Sequence, residues 1–306
     1  MVHIENLCKQ FGAVHALSHI HLHIKQNQLF GLIGPDGAGK STLFDILATL
    51  QLPSSGKASL HGFDVQSKAS QVRKIIGFMP GQFSLYQDLS ILENIQFFSK
   101  VYGVRFDESS PLIYDIWQQI APFKHRPAGK LSGGMKQKLA LCCALAHKPT
   151  VLLLDEPTTG VDPVSRKEFW EMLQNLKSHN VTTLVSTPYM DEANLCERIA
   201  LIQNGKLLAV DAPEAIVAQF TLNLFGVQSA RPNTLIKPLR QFEKTRHCFA
   251  FGKTLHLTLK DSSTTENDIV EFLKKHGHSH VDVWRMKPGI EDCFIEWMHS
   301  ENHEHS

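Results

Sequence analysis

Gly34-Pro35-Asp36-Gly37-Ala38-Gly39-Lys40-Ser41 decides how this chain is read. It fits Gly-x4-Gly-Lys-[Ser/Thr]. The apolar run Leu29 to Ile33 precedes it, and an apolar-periodic stretch from Thr42 to Leu50 follows. Strand, glycine-rich turn, helix is the order a phosphate-cradling loop needs. Glycines let backbone N–H groups turn inward as an anion-binding concavity. The following helix points its positive dipole end at the same place. In such a loop Lys40 reaches the β- and γ-phosphates and the Ser41 hydroxyl ligates Mg²⁺.

On either side, hydropathy patterning predicts an α/β protein. His19-Ile20-His21-Leu22-His23-Ile24 alternates strictly, which buries Ile20, Leu22 and Ile24 on one strand face. Its three histidines share the other face, either as a solvated surface or as metal ligands. Lys57 to Leu60 and Ile75 to Met79 read as strands, and Ile91 to Tyr102 and Leu112 to Ile120 as helices. Val151 to Leu154 reads as a strand buried on both faces. Val164 to Leu176 is helical, with Phe169, Met172, Leu173 and Leu176 on one side. Val181 to Val185 is a β-branched strand, and Asn204-Gly205 between two apolar runs signals a hairpin. Strands alternating with helices imply a parallel sheet. Beyond about residue 220 the composition shifts. Strands at 245–260 and 281–286 around a helix at 266–275 suggest a small α+β domain over 221–300, with a polar tail at 301–306.

Two further motifs narrow the chemistry. Leu131-Ser132-Gly133-Gly134-Met135-Lys136-Gln137 opens a helix, with Ser132 placed to cap it and the glycines leaving N–H groups open. Val151-Leu152-Leu153-Leu154-Asp155-Glu156-Pro157 carries adjacent carboxylates at the end of a buried strand, where ligands sit in open α/β sheets. Asp155 suits Mg²⁺, and Glu156 suits a water that attacks a γ-phosphate.

These three motifs, in this order, resemble the nucleotide-binding subunit of ABC transporters over residues 2–220. The resemblance implies a P-loop ATPase core with an antiparallel β subdomain and a helical subdomain at about 83–145. It implies ATP bound by Gly34 through Thr42, Phe11 stacked on adenine, and Gly160-Val161-Asp162 as the D-loop. It implies Ser132, Gly133 and Gly134 reaching the nucleotide of a second ATPase, self or paralogue. It also implies a polytopic membrane permease as partner, at the cytoplasmic face of the inner membrane. Phe83 to Ser90, the signature helix start and Pro288-Gly289-Ile290-Glu291-Asp292-Cys293-Phe294-Ile295 resemble the multidrug-type (ABC-2) exporter ATPases. The Asp36 variant of the loop resembles the first ATPase half of fused bacterial exporters.

The chain departs from that family at two positions. Pro188 stands where the family has a γ-phosphate-contacting His, and proline has neither a side-chain donor nor an N–H. Slow hydrolysis by the chain alone is the implication, unless Thr187 or Tyr189 substitutes. Gly81 stands where the family has a Mg²⁺-contacting Gln, so either Gln82 serves with a one-residue shift that Gly81 permits, or the contact is missing. A soluble ABC ATPase acting on ribosomes or nucleic acid, or a weakly hydrolysing regulatory subunit, is the alternative.

Composition fits the leading reading. The 306 residues are 42% hydrophobic and 20% charged, enough for a normal core. With 31 basic and 30 acidic residues, no broad basic footprint points to nucleic acid. The six cysteines lack disulfide or metal spacing, which suits a reducing cytoplasmic setting. His276, His278 and His280 form a loose histidine run. No signal segment opens the chain, and no apolar run approaches membrane-spanning length.

Overall fold

The structure, a computed structural model, describes residues 1–261 and 263–303. It divides into two compact units, Met1–Pro213 and Glu214–Ser306. The tail expected at 301–306 falls partly outside the described residues, the last helix running to His303.

The first unit opens with an antiparallel hairpin, β1 (Val2–Phe11) and β2 (Val14–Ile24). Ile20, Leu22 and Ile24 are buried and the three histidines face outward, as the alternation requires. Strand β3 (Leu29–Ile33) leads through the glycine-rich loop into helix α1 (Lys40–Leu47). Strands β4 (Ser55–Leu60) and β5 (Phe63–Asp64) complete a four-stranded sheet in the order β2-β1-β4-β5. Then come α2 (Ala69–Ile75), β6 (Ile76–Met79) and three helices, α3 (Ile91–Val101), α4 (Tyr114–Ile120) and α5 (Gly133–Leu145). Helix α4 starts at Tyr114 rather than at Leu112, after a turn in which the Ile113 and Tyr114 N–H groups both donate to the Ser110 carbonyl. The remaining elements are β7 (Val151–Asp155), α6 (Pro163–Leu176), β8 (Thr182–Thr187), β9 (Arg198–Gln203) and β10 (Lys206–Asp211).

The second sheet has six strands in the order β10-β9-β3-β8-β7-β6. Strands β9, β3, β8, β7 and β6 run parallel, and β10 turns back antiparallel through Asn204-Gly205. Both turn residues have positive φ, 48° and 74°, as a type I′ hairpin demands. Every residue of β3, β7 and β8 is buried. Apolar side chains of β1 and β2 (Ile4, Leu7, Ile20) meet those of α1 (Leu43, Phe44, Leu47) and of the parallel sheet (Leu32, Leu153, Leu184) in one core.

Helices α3 and α4 both pack on α5. Ser90 and Glu93 form a capping box at the start of α3. Asn94, fully buried, fixes the loop before it: its Oδ1 accepts the Tyr86 N–H at 3.0 Å, and its Nδ2 lies 3.0 Å from the Tyr86 carbonyl and 3.1 Å from that of Leu89. Among the described residues no helix is long and apolar enough to cross a membrane.

After α7 (Pro213–Ala218), the second unit runs β11 (Asn223–Ser229), α8 (Asn233–Gln241), β12 (Thr245–Phe251), β13 (Thr254–Leu259), α9 (Glu266–Lys275), β14 (Val281–Arg285) and α10 (Ile290–His303). This is a βαββαβ unit whose antiparallel sheet has the order β12-β13-β11-β14, a ferredoxin-like arrangement. Phe225, Val227, Leu255 and Leu257 from the sheet meet Leu235, Leu239, Ile269 and Leu273 from α8 and α9. Neither β11 nor α8 is marked by local sequence pattern. Pro238 inside α8 and Gly226 in β11 are the residues that hid them. Gly226 is needed because a Cβ there would lie 2.5 Å from the Trp284 ring.

Asn94→Ala strands the Tyr86 and Leu89 backbone groups together. It is expected to cost roughly 2–3 kcal/mol of stability in the first unit. A shift in the chemical-denaturation midpoint measures this, and an unchanged midpoint contradicts it.

Candidate functional site

Strand β3 lies between β8 and β9, so the loop after it emerges at the C-terminal edge of the parallel sheet. The loop is held close on all sides. A Cβ on Gly34 would lie 2.2 Å from the Ile202 carbonyl, and one on Gly39 would lie 2.4 Å from the Ala16 carbonyl. Gly37 and Gly39 have φ of 76° and 103°. The loop is tied down by the Gly34 N–H donating to the Thr187 carbonyl (3.3 Å) and the Gly205 N–H donating to the Ala38 carbonyl (3.0 Å). Gly39, at the N-cap of α1, supplies no side-chain cap, so the first N–H groups of the helix are left for another acceptor.

Lys40 is only 3% exposed. Its Nζ donates to the Gly34 carbonyl at 2.8 Å and the Pro35 carbonyl at 2.9 Å, and lies 3.1 Å from Glu156 Oε1. Gly37, Gly39, Lys40, Ser41, Thr42, Asp36 and Glu156 line one cavity of about 360 Å³. Val14, His15, Ala16 and Asn204 complete its wall. No local pattern marks the part these four play in the wall, because chain segments far apart bring them there.

Asp155 ends β7 and is buried, accepting a 2.5 Å hydrogen bond from Ser186 Oγ. Ser186 also receives the Glu156 N–H, at 2.9 Å on Oγ. Glu156 takes φ of 47°, a left-handed conformation that costs energy in a non-glycine residue. Burial pushes the Asp45 carboxyl on α1 above its ordinary range, and the Asp155 charge pushes it the same way. A Cβ on Gly81 would sit 3.5 Å from Asp155 Oδ2, so position 81 faces the acidic pair while carrying no side chain. Gln82 is exposed and lines a different cavity, with Phe83, Phe98 and Gln137.

The other expected residues lie apart from the loop cavity. Ser132 caps α5, its Oγ accepting the Met135 N–H at 3.4 Å. Gly134 packs against α6 so tightly that a Cβ would be 2.5 Å from Ser165 Oγ. Asp162 caps α6, and the Ser165 N–H it accepts at 3.0 Å holds its carboxyl below the usual range. Phe11 is 47% exposed, with Lys9 Nζ 4.7 Å above its ring. None of these five residues (Phe11, Ser132, Gly133, Gly134, Asp162) lines the loop cavity. Of the candidate substitutes at the Pro188 bend, Thr187 has its hydroxyl engaged and Tyr189 has its ring against an arginine. Thr187 Oγ1 donates to Glu192 Oε2, and the Tyr189 ring lies 4.2 Å from the Arg166 guanidinium. Among the described residues no group of three or more His, Cys, Asp or Glu is arranged to hold a metal.

The donor set suits a Mg²⁺-polyphosphate: loop glycines with positive φ, a buried lysine, uncapped helix N–H groups, a hydroxyl and two carboxylates. An ABC transporter family model matches residues 17–159. The probable multidrug ABC transporter ATP-binding protein YbhF of Escherichia coli is 39% identical over 221 residues, 72% of this chain and 38% of that protein. The chain thus spans under two-fifths of that relative's length. The Nod factor export ATP-binding protein I of Burkholderia lata is 33% identical over 265 residues, 85% of this chain and 86% of that protein. A bacterial ABC transporter cassette solved as a dimer is 26% identical, with a TM-score of 0.62 over 69% of this chain and 98% of its own.

If the loop holds phosphate, Gly34→Ala forces it off the Ile202 carbonyl. Affinity for a fluorescent ATP analogue should then fall about tenfold or more, since a tenfold loss is only about 1.4 kcal/mol. Gly81→Ala, whose Cβ has ordinary contacts of 3.4 Å or more, should leave affinity unchanged. Equal effects of the two variants contradict the assignment.

Proposed function

The chain belongs to the ABC transporter family of ATP-binding proteins, and from that premise we propose that it binds and hydrolyses ATP to power a membrane exporter of the multidrug (ABC-2) type. The observation that carries the reading is the convergence of Lys40 and Glu156, 3.1 Å apart, on a cavity walled by the glycine-rich loop.

Phosphoryl transfer to water is chiefly positioning and charge stabilisation. The N–H groups of Gly37, Gly39, Lys40, Ser41 and Thr42 cradle the phosphates, and Lys40 meets the β- and γ-oxygens. Glu156 polarises the attacking water. Ser41 and Asp155 would be the chain's ligands for Mg²⁺, whereas Gln82 is exposed and lines a different cavity. Bound there, the ion neutralises charge on the phosphate oxygens. Ser186 fixes the Asp155 carboxylate and, through the Glu156 N–H, the start of the following turn. Phe11 offers an exposed aromatic face for the adenine.

Ser132, Gly133 and Gly134 lie away from the cavity of their own chain, which supports a site closed by a second cassette, a copy or a paralogue. Two such chains head to tail form two sites by symmetry. Loss of the γ-phosphate removes the shared contacts and loosens the pair. The membrane partner docks at the apolar cleft lined by Leu50, Ile76, Phe78, Val101 and Tyr102, with Arg73 and Lys74 beside them. Leu50 and Val101 are 59% and 64% exposed there, more than isolated surface residues of a core-facing cluster need be. On this reading the subunit works peripherally at the cytoplasmic face of the inner membrane.

Hydrolysis by the chain alone is slow on this reading. Pro188 offers the γ-phosphate no donor, and the Thr187 hydroxyl is engaged with Glu192. Pro188→His is expected to raise steady-state turnover by about tenfold or more, the scale of one transition-state donor. A brisk wild-type rate unmoved by Pro188→His contradicts this.

A further inference from the structure

Resting on the ATPase reading, we propose that Glu192 is a positioning residue for hydrolysis, acting through Thr158 and Thr187. Glu192 lies in the short turn Met190–Leu195 after β8 and is 1% exposed. One of its oxygens accepts the Thr158 hydroxyl at 2.8 Å, and the other accepts the Thr187 hydroxyl at 2.5 Å. Both threonines are fully buried. Arg166 Nε is 3.7 Å from the same Oε1 that Thr158 reaches.

A buried carboxyl is costly unless fully partnered, so a structure that keeps one is using its directionality. Each partner of Glu192 belongs to a different working segment. Thr158 is two residues beyond Glu156. Thr187 is the last residue of β8, and its carbonyl accepts the Gly34 N–H that anchors the glycine-rich loop. Arg166 is on α6, the helix that Asp162 caps. The carboxyl therefore ties the exit of the Asp155–Glu156 pair to the strand on which the loop hangs.

Next to it, Ser186 makes the complementary tie, reaching Asp155 and the Glu156 N–H. Between them the C-terminal end of β8 and the turn after it hold the backbone on both sides of Glu156, a strained residue. Neither Glu192 nor the threonines line the nucleotide cavity. Their loss should therefore misplace Glu156 without removing a contact to ATP. That predicts a fall in kcat with KM nearly unchanged.

The test compares Glu192→Gln, Thr187→Ser, Thr187→Val, Thr158→Ser and Thr158→Val in the full chain. It measures kcat and KM for MgATP, affinity for a fluorescent ATP analogue, and the thermal midpoint. Glu192→Gln should lose about tenfold to hundredfold in kcat, the usual scale for an outer orienting partner. KM and analogue affinity should stay within about threefold, under 0.7 kcal/mol. Each serine variant should keep most activity and each valine variant should lose it as Glu192→Gln does. Should Glu192→Gln not fold, the serine–valine pairs decide alone. Wild-type kcat in Glu192→Gln, or valine variants as active as serine ones, overturns the positioning role. Losses in which KM and analogue affinity worsen as much as kcat overturn it too. A wild type no faster than Glu156→Gln overturns the ATPase reading itself.

Discussion

The parallel register of β3, β8 and β7 is the constraint on which the site depends. Ile33 pairs with Thr187, and Asp155 pairs with Ser186. The glycine-rich loop, the carboxylate pair and the hydroxyls of β8 therefore leave the sheet at one level. Because all three strands are buried on both faces, no slip of register is compatible with the core. Side chains at the strand ends then complete what the ladder begins. Ser186 holds Asp155, Thr187 holds Gly34 through its carbonyl, and Lys40 spans from the loop to Glu156.

The parts of this arrangement that depend on local chemistry were legible in the sequence. Glycines demanded by positive φ or close approach, the Ser132 cap, the Asn204-Gly205 hairpin and the uniform apolarity of Val151 to Leu154 each leave a mark within a few residues. Glu192 left none. In sequence it is one acidic residue of Tyr189-Met190-Asp191-Glu192, and only the meeting of three distant segments shows that it is buried. The places of His15 and Asn204 in the wall escaped for the same reason, one coming from a hairpin of the other sheet and one from the β9–β10 turn. In the second unit, Pro238 and Gly226 masked a helix and a strand because their local preferences oppose the elements that tertiary packing stabilises.

The Glu291-Asp292-Cys293-Phe294 ending has a plain physical basis within the second unit. One oxygen of Asp292 accepts the Gly289 N–H at 2.8 Å, and the other lies 2.7 Å from His256 Nδ1 on β13. Cys293 and Phe294 are buried beside it. The motif thus starts α10 and pins it to the sheet in one step, and the polar part of the motif is structural there.

The central claim is that Glu156, held beside Lys40 at the edge of the sheet, activates water against a nucleotide in the loop cavity. Parallel measurement of MgATP turnover and fluorescent-ATP affinity for the wild type and Glu156→Gln tests it most directly. The account expects turnover to vanish in Glu156→Gln while affinity is retained. Turnover that survives the substitution, or affinity that disappears along with it, contradicts the account.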